Sequence, residues 1–309
     1  MRKKLVIGTR GSKLALWQAN HIADCLRKQY PDLDVILKHI TTTGDKILDV
    51  PLAKIGGKGL FTKELEAEML EGTIDLAVHS LKDMPTELPE GLTLAAITKR
   101  VDPGDALISP VYKTLENLPQ GAKVGTSSLR RKAQLLSARP DLQICELRGN
   151  VDTRLKKLDT GDLDAIVLAA AGLKRLGWQA HITEILAKEI CLPAVGQGAL
   201  AIEARQHDAE VLEQLEFLND RATRYAVTAE RAFLKTVEGG CQVPVGVFGR
   251  LDETKLTVEA IIATIDGQTV IKDCITGDKE AAALLGKQLA NRMLDAGGRK
   301  IMVDLGCMV

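Results

Sequence analysis

The sequence predicts an α/β fold through its first two thirds and a small α+β region with an antiparallel sheet in the last third. Short apolar runs alternate with amphipathic helical patterns along the first stretch, the layout of strands and helices that share layered, largely parallel sheets. Further on, three strand-like runs follow one another and end in a helix, which suits a sheet covered on one face. Two Pro- and Gly-bearing segments, Lys99-Arg-Val-Asp-Pro-Gly104 and Leu192-Pro-Ala-Val-Gly-Gln-Gly198, read as crossovers between domains.

Each element has a local reason. Leu5-Val-Ile7 reads as a strand, and Ser12, an oxygen-bearing N-cap, opens a helix with Leu14, Trp17, Ile22 and Cys25 on one side. Residues 35–40 read as a second strand, 62–71 as a helix that Gly72 stops, and 74–78 as a strand. After the first crossover come strand 123–125, helix 127–138, strand 142–147, helix 150–159 and strand 165–169. Residues 199–203 form a strand after the second crossover. A helix over 220–237 then leads to strands near 245–248, 256–263 and 269–275 and a helix over 280–294.

Composition narrows the function classes. The chain has 309 residues, room for two or three domains. Its 41 Lys+Arg balance 41 Asp+Glu, so no overall field recruits nucleic acid or a membrane surface, and any preference for anions must come from local clustering. Aromatics, at 3%, are too sparse for base-stacking platforms. The six cysteines (Cys25, Cys145, Cys191, Cys241, Cys274 and Cys307) form no Cys-x-x-Cys pair, and no His stands at metal-ligand spacing, so no metal site is expected. No segment approaches a membrane span. The apolar run in Met-Arg-Lys-Lys-Leu-Val-Ile-Gly8 is too short for a secretory signal. A reduced, cytoplasmic protein is expected. A Gly-x-Gly-x-x-Ala match at Gly196 follows Pro193 and precedes a strand, the wrong setting for a dinucleotide site. Gly56-Gly-Lys-Gly59 lacks the Ser or Thr that a phosphate-binding P-loop needs after its lysine.

The most informative segment is Glu238-Gly-Gly-Cys241-Gln-Val-Pro-Val-Gly246. Two glycines before the cysteine and a proline after it rule out a continuous helix or central strand, so the thiol sits on a shaped loop. A second signal is Gly125-Thr-Ser-Ser-Leu-Arg-Arg131, where a strand ends in hydroxyl residues and a helix begins with two arginines. Free N–H groups make such a helix start an anion site, and cations there oppose the dipole, which a purely structural helix avoids. Arg10 follows the first strand, Lys54 and Lys58 flank Gly56-Gly57, Arg148 follows a strand and Arg154 lies one turn into the next helix. Carboxyl ends of parallel strands are where α/β folds bind ligands, and guanidinium forks suit carboxylates or phosphates. Asp83, in Val78-His-Ser-Leu-Lys82-Asp83-Met-Pro85, is an ion-pair partner for the basic loops or a group that handles protons and cationic charge. His79 beside it reads as structural, half-buried among apolar neighbours. Three readings stay open on these residues alone: an anion-handling transferase, a ligand-binding module without chemistry, and a thiol hydrolase, the last weakened by the lack of a histidine motif to supply its base.

Taken in order, seven motifs resemble the porphobilinogen deaminase family: Arg10-Gly-Ser-Lys-Leu-Ala-Leu-Trp-Gln18, Gly56-Gly-Lys-Gly-Leu-Phe-Thr-Lys-Glu64, Val78-His-Ser-Leu-Lys-Asp-Met-Pro85, Gly125-Thr-Ser-Ser-Leu-Arg-Arg131, Leu147-Arg-Gly-Asn-Val-Asp-Thr-Arg154, Pro193-Ala-Val-Gly-Gln-Gly198 and Glu238-Gly-Gly-Cys-Gln-Val-Pro244. Lys13 stands where the family often has proline. The resemblance implies two periplasmic-binding-protein-like α/β domains around a cleft plus a small α+β C-terminal domain. Their boundaries would be 1–99 with 199–218, 100–198, and 219–309.

The resemblance also implies a dipyrromethane cofactor carried by Cys241 through a thioether. Four porphobilinogen units would be added to it with loss of ammonia, and hydroxymethylbilane released by hydrolysis. By the same resemblance Asp83, Lys82 and Arg10 are catalytic. Thr126, Ser127, Ser128, Arg130, Arg131 and Arg154 join Cys241, Asp83 and Lys82 in holding the cofactor. Arg10, Ser12, Lys54, Lys58, Phe61, Arg148, Arg154 and Gln197 bind substrate. Each porphobilinogen brings an acetate and a propionate, so the growing chain is a polyanion in need of a local basic site. Loss of ammonia leaves a cationic azafulvene, which a carboxylate such as Asp83 stabilises. The family implies a monomer.

Overall fold

The computed structural model describes residues 2–46, 59–237 and 243–308. In chain order the elements are β1 (Lys4–Thr9), α1 (Lys13–Gln29), β2 (Asp34–His39), α2 (Thr43–Lys46), α3 (Lys63–Leu70), β3 (Leu76–Ser80), β4 (Leu92–Ile97), β5 (Asp105–Ile108), β6 (Lys123–Gly125), α4 (Leu129–Ala138), β7 (Gln143–Cys145), α5 (Val151–Asp159), β8 (Ala165–Ala169), α6 (Ala170–Arg175), β9 (Glu184–Ile185), β10 (Leu200–Arg205), α7 (Ala209–Leu215), α8 (Arg221–Thr236), β11 (Val245–Asp252), β12 (Lys255–Ala263), β13 (Val270–Asp278), α9 (Ala282–Met293) and α10 (Arg299–Asp304). They fall into two compact units, Met1–Arg100 with Ala199–Thr223, and Val101–Gly198 with Arg224–Val309.

The first unit is built on a five-stranded sheet ordered β2-β1-β3-β10-β4. Its strands β2, β1 and β3 are parallel, and β10 runs antiparallel to both β3 and β4. Ser12 caps α1 by accepting from the Ala15 amide. The helix then buries Ala19, Ile22, Ala23 and Leu26 against Leu5, Ile7, Leu76 and Ile202 of the sheet. Trp17, expected on the inward face, is half-buried and stacks on the His21 ring with centroids 5.0 Å apart. The buried apolar stripe is made instead of Ala19, Ile22, Ala23 and Leu26. Gly72, at φ +77°, ends the α3 segment as predicted.

In the second unit, a five-stranded sheet is ordered β7-β6-β8-β5-β9 and a three-stranded sheet β11-β12-β13. β7, β6 and β8 are parallel, whereas β5 is antiparallel to β8 and β9. Both large sheets are therefore mixed rather than largely parallel. The reversed strands, β10 and β5, are those the chain enters from the two crossover segments. β4 and β5 have no counterpart in the sequence reading: β4 carries two alanines and β5 opens on an aspartate, both weak strand formers. The small sheet is an antiparallel meander, and α8 and α9 pack on it through Ala226, Ala229, Phe233, Leu285, Leu289 and Met293. Gly286 lets these helices meet, since a Cβ there would lie 2.0 Å from the Ala229 carbonyl oxygen. Glu230 is fully buried in this core, its Oε2 accepting from the Gly196 amide at 2.7 Å and its Oε1 from the Gly249 amide at 2.8 Å. Among the described residues, no helix is long and apolar enough to cross a membrane.

Candidate active site

In the first unit the carboxyl ends of three parallel strands deliver functional groups to one sheet edge. Arg10 follows β1, the 3₁₀ turn Leu81–Asp83 follows β3, and α2 with Asp45 follows β2. Leu81 and Met84 are buried and anchor the turn, which leaves Asp83 exposed and Lys82 half-buried between them. The Arg10 Nε donates to both carboxylate oxygens of Asp45, at 3.1 and 3.2 Å, and its Nη2 also bonds Asp45. Burial would raise the Asp45 pKa, but the hydrogen bonds from Arg10 and Thr42 outweigh it and hold the carboxyl below its ordinary value. Phe61 lies beneath Arg10 with the guanidinium carbon 4.2 Å from its ring centroid. The Ser12 hydroxyl is engaged as the α1 cap. Lys54, Lys58 and Cys241 lie outside the described residues.

In the second unit β7, β6 and β8 bring a matching set to their own carboxyl edge. Thr126 is buried and accepts from the Ser128 amide at 3.2 Å. The Ser127 hydroxyl donates to the Leu147 carbonyl and accepts from the Leu147 amide at 3.1 Å, tying the β6 end to the β7 end. Ser128 is the α4 cap, accepting from the Arg131 amide at 3.4 Å. Arg148 lies 3.7 Å from Glu146 through its Nε. Arg154 donates to the carbonyl of Gly149, a residue at φ +111°, at 2.8 Å.

Arg130 and Arg131 are not the solvent-facing pair that a helix start implies. They are 4% and 5% exposed and share one carboxylate, that of Asp105 on β5. Arg130 Nη1 donates to Asp105 Oδ2 at 2.6 Å and to the Leu192 carbonyl at 2.7 Å. Arg131 donates through Nε to Asp105 Oδ1 at 2.9 Å and through Nη1 to the Val167 carbonyl at 2.9 Å. Burial alone would neutralise Asp105, yet the two guanidiniums hold its carboxyl far below the usual range. Gln197 is buried beside them, donating to Asp105 Oδ1 at 3.0 Å and to the Pro103 carbonyl at 2.6 Å. Its amide nitrogen faces Asp105 rather than solvent. His79, expected half-buried, is buried, with Nε2 3.1 Å from Glu203.

Two residues of interest escaped the sequence reading. Asp105 opens β5, a strand whose sequence carries no strand signature. Arg175 closes α6, where a cation reads as a complement to the helix dipole. The short length of α6, six residues, is the available signal, because it keeps Arg175 near the β8 end. Arg175 is half-buried, donates to the Gly198 carbonyl at 2.8 Å and has no carboxylate partner among the described residues. Desolvation lowers its pKa to about 10. Among the described cysteines, Cys191 is buried against Asp105, and burial with that carboxylate pushes its thiol up to about 12, which disqualifies it as a nucleophile. No group of three or more His, Cys, Asp or Glu among the described residues could hold a metal ion.

Arginines and hydroxyls gathered at the carboxyl ends of parallel strands define an α/β protein suited to carboxylate-rich ligands. Residues 5–213 match the porphobilinogen deaminase, dipyromethane cofactor binding domain, and residues 224–295 the porphobilinogen deaminase C-terminal domain. The chain belongs to the porphobilinogen deaminase family. It is 54% identical to the porphobilinogen deaminase of Geotalea uraniireducens (strain Rf4), over 98% of this chain and 95% of that one. It is equally 54% identical to that of Desulforudis audaxviator (strain MP104C), over 98% of each. Among solved structures, the methionine-binding protein MetQ aligns with a TM-score of 0.45 at 16% identity, covering 69% of this chain and 88% of that chain. The Escherichia coli aliphatic sulphonate binding protein SsuA aligns with a TM-score of 0.39 at 16% identity, covering 76% and 71%.

The donor set fits the cofactor of the matched domain. Two pyrrole rings bring acetate and propionate groups, and guanidinium forks and hydroxyls are their natural partners. Two arginines that share a single aspartate leave one surplus positive charge in the interior, and Arg175 adds a second cation without a described carboxylate. Buried surplus charge of this kind calls for an anion.

Proposed function

We propose that this chain catalyses the hydroxymethylbilane synthase reaction: head-to-tail condensation of four porphobilinogen molecules, ammonia leaving at each step, and hydrolytic release of hydroxymethylbilane. What supports this most is family membership over nearly the whole chain, together with an exposed Asp83 and an oriented Arg10 on adjacent parallel strand ends. The dipyrromethane, joined to Cys241 by a thioether, supplies the terminal pyrrole on which the chain grows. Asp83 stabilises the positive charge that develops on the pyrrole as ammonia departs, and Lys82 and Arg10 bind acidic side groups beside it. Phe61 and Asp45 hold the Arg10 fork in one orientation. Arg130, Arg131, Arg154, Thr126, Ser127 and Ser128 fix the cofactor carboxylates, while Ser12, Arg148, Gln197, Lys54 and Lys58 serve substrate binding, Gln197 acting through Asp105. The reading extends to a cytoplasmic monomer in three domains, 1–99 with 199–218, 100–198 and 219–309.

Incubation with porphobilinogen should release ammonia and yield hydroxymethylbilane. The purified protein should exceed its sequence mass by one covalent dipyrrole that colours with Ehrlich's reagent, and Cys241→Ala should lack both the mass and the colour. Active enzyme with an unmodified Cys241 would refute the assignment.

A further inference from the structure

Asp105 is fully buried and meets four other side chains of the second unit. Its Oδ2 accepts from Arg130 Nη1 at 2.6 Å and from the Cys191 thiol at 3.3 Å. Its Oδ1 accepts from Arg131 Nε at 2.9 Å and from Gln197 Nε2 at 3.0 Å, and lies 2.7 Å from Arg131 Nη2. Each oxygen is thus committed to a different guanidinium. Side by side without it, two guanidiniums at consecutive positions would repel across a dry interior. With it they form a fixed array of net charge plus one.

The residues around Asp105 make this arrangement stiff. Gln134 Oε1 accepts from the Leu192 amide at 2.7 Å, and the Leu192 carbonyl receives Arg130 at 2.7 Å. The Val167 carbonyl on β8 receives Arg131 at 2.9 Å. The contacts that orient the two arginines come from a carboxylate, backbone oxygens and, for Arg130, the Cys191 sulfur at 3.4 Å, all of this chain, so the fork geometry is set before any ligand arrives.

We propose that Asp105 is a positioning residue for cofactor acquisition: it holds Arg130 and Arg131 at a fixed spacing and leaves one positive charge for a carboxylate of the dipyrromethane. The proposal rests on the reading of Arg131 as a cofactor-holding residue. Asp105 does not touch the cofactor, and it acts through the arginines. Position as well as charge is therefore required, since moving the carboxylate by one methylene displaces both forks together.

The test compares Asp105→Asn, Asp105→Glu and Arg131→Leu as full-length proteins, measuring by intact mass the fraction that carries the dipyrrole and by circular dichroism the fold. Asp105→Asn should lower the loaded fraction at least tenfold. Asp105→Glu, which keeps the charge but shifts it, should lower loading about threefold or more with an unchanged far-ultraviolet spectrum. Wild-type loading in a folded Asp105→Glu or Asp105→Asn would overturn the proposal, because a structural or charge-balancing role moves the melting temperature and leaves loading alone. If Asp105→Asn does not fold, the Asp105→Glu result decides. Arg131→Leu separates the two levels: normal loading there refutes Arg131 as a cofactor residue, whereas loss there with normal loading in both Asp105 variants refutes only the positioning role.

Discussion

The guanidinium carbon of Arg10 lies 4.2 Å from the centroid of the Phe61 ring, with Asp45 gripping the edge of the same fork through Nε and Nη2. Among the described residues Nη1 makes no hydrogen bond, which leaves it for a ligand carboxylate. Arg10→Leu should cut kcat/KM at least tenfold, in line with the ~1.5–3 kcal/mol of a charged hydrogen bond. Phe61→Leu removes only the ring contact, worth about 0.5–1 kcal/mol, and should raise KM a few-fold with kcat kept. Steady-state kinetics with porphobilinogen check both, and equal effects would remove Phe61 as a mere support.

Asp83 is held out by a turn whose neighbours Leu81 and Met84 are buried. Asp83→Asn keeps the shape and removes the charge. It should lower kcat about 10²–10³-fold, as loss of one preorganised charge-stabilising group does, with the melting temperature unchanged.

Arg175 is a cation folded into a site that does not favour its charge, its pKa drawn to about 10 by desolvation. A base whose folded pKa lies below its unfolded value opposes folding while it is charged, and the penalty lifts as pH rises through about 10 and beyond. Arg175→Met should therefore leave stability at pH 7 unchanged or raise it by on the order of 1 kcal/mol, while weakening binding of the acidic substrate. The melting temperature should hold or rise while KM rises. Loss of both would place Arg175 in a purely structural role.

Asp105 titrates in the other sense. Its folded pKa is depressed by Arg130 and Arg131, so its contribution is complete above the unfolded value near 4 and declines as pH falls below it. Asp105→Asn should cost about 3–5 kcal/mol at neutral pH, the usual effect of orphaning a buried charge. It should also flatten the fall of stability below about pH 4, measured by chemical denaturation at stepped pH.

Gly286 admits no side chain, for its Cβ would lie 2.0 Å from the Ala229 carbonyl oxygen and 3.1 Å from the Phe233 amide nitrogen. Gly286→Ala should destabilise the protein by about 1–3 kcal/mol through forced separation of α8 and α9. A mutant as stable as wild type by urea titration would contradict that packing.

Periodicity made most elements readable, because strand runs such as 165–169 and caps such as Ser12, Ser128 and Asn150 are local signals. Strand direction was not readable: β10 slots between β3 and β4 by long-range pairing that no local pattern encodes. The site divided along the same line. Placement at strand ends singled out Arg10, Asp83 and Arg148 as candidates from the sequence, and Arg154 one turn into a helix. The partners that position the arginines, Asp45 and Asp105, come from other elements and became visible only with the fold. Arg130 and Arg131 illustrate the difference, since a helix start signals an anion site but says nothing of a buried aspartate arriving from β5.

The second crossover carries little regular structure, yet hydrogen bonds from side chains and backbone hold it along its length. Leu192 is bound by Arg130 and Gln134, the Pro193 carbonyl receives the Val247 amide at 3.1 Å, Gly196 donates to Glu230, and the Gly198 carbonyl takes Arg175. Contacts from the larger sheet's helices and from the meander thus converge on one strap of backbone. Native-state hydrogen exchange at Leu192 and Gly196 should then be as slow as in the strand interiors. Heat would release the meander and the larger sheet of that unit in a single step, leaving no half-melted species for a protease to cut.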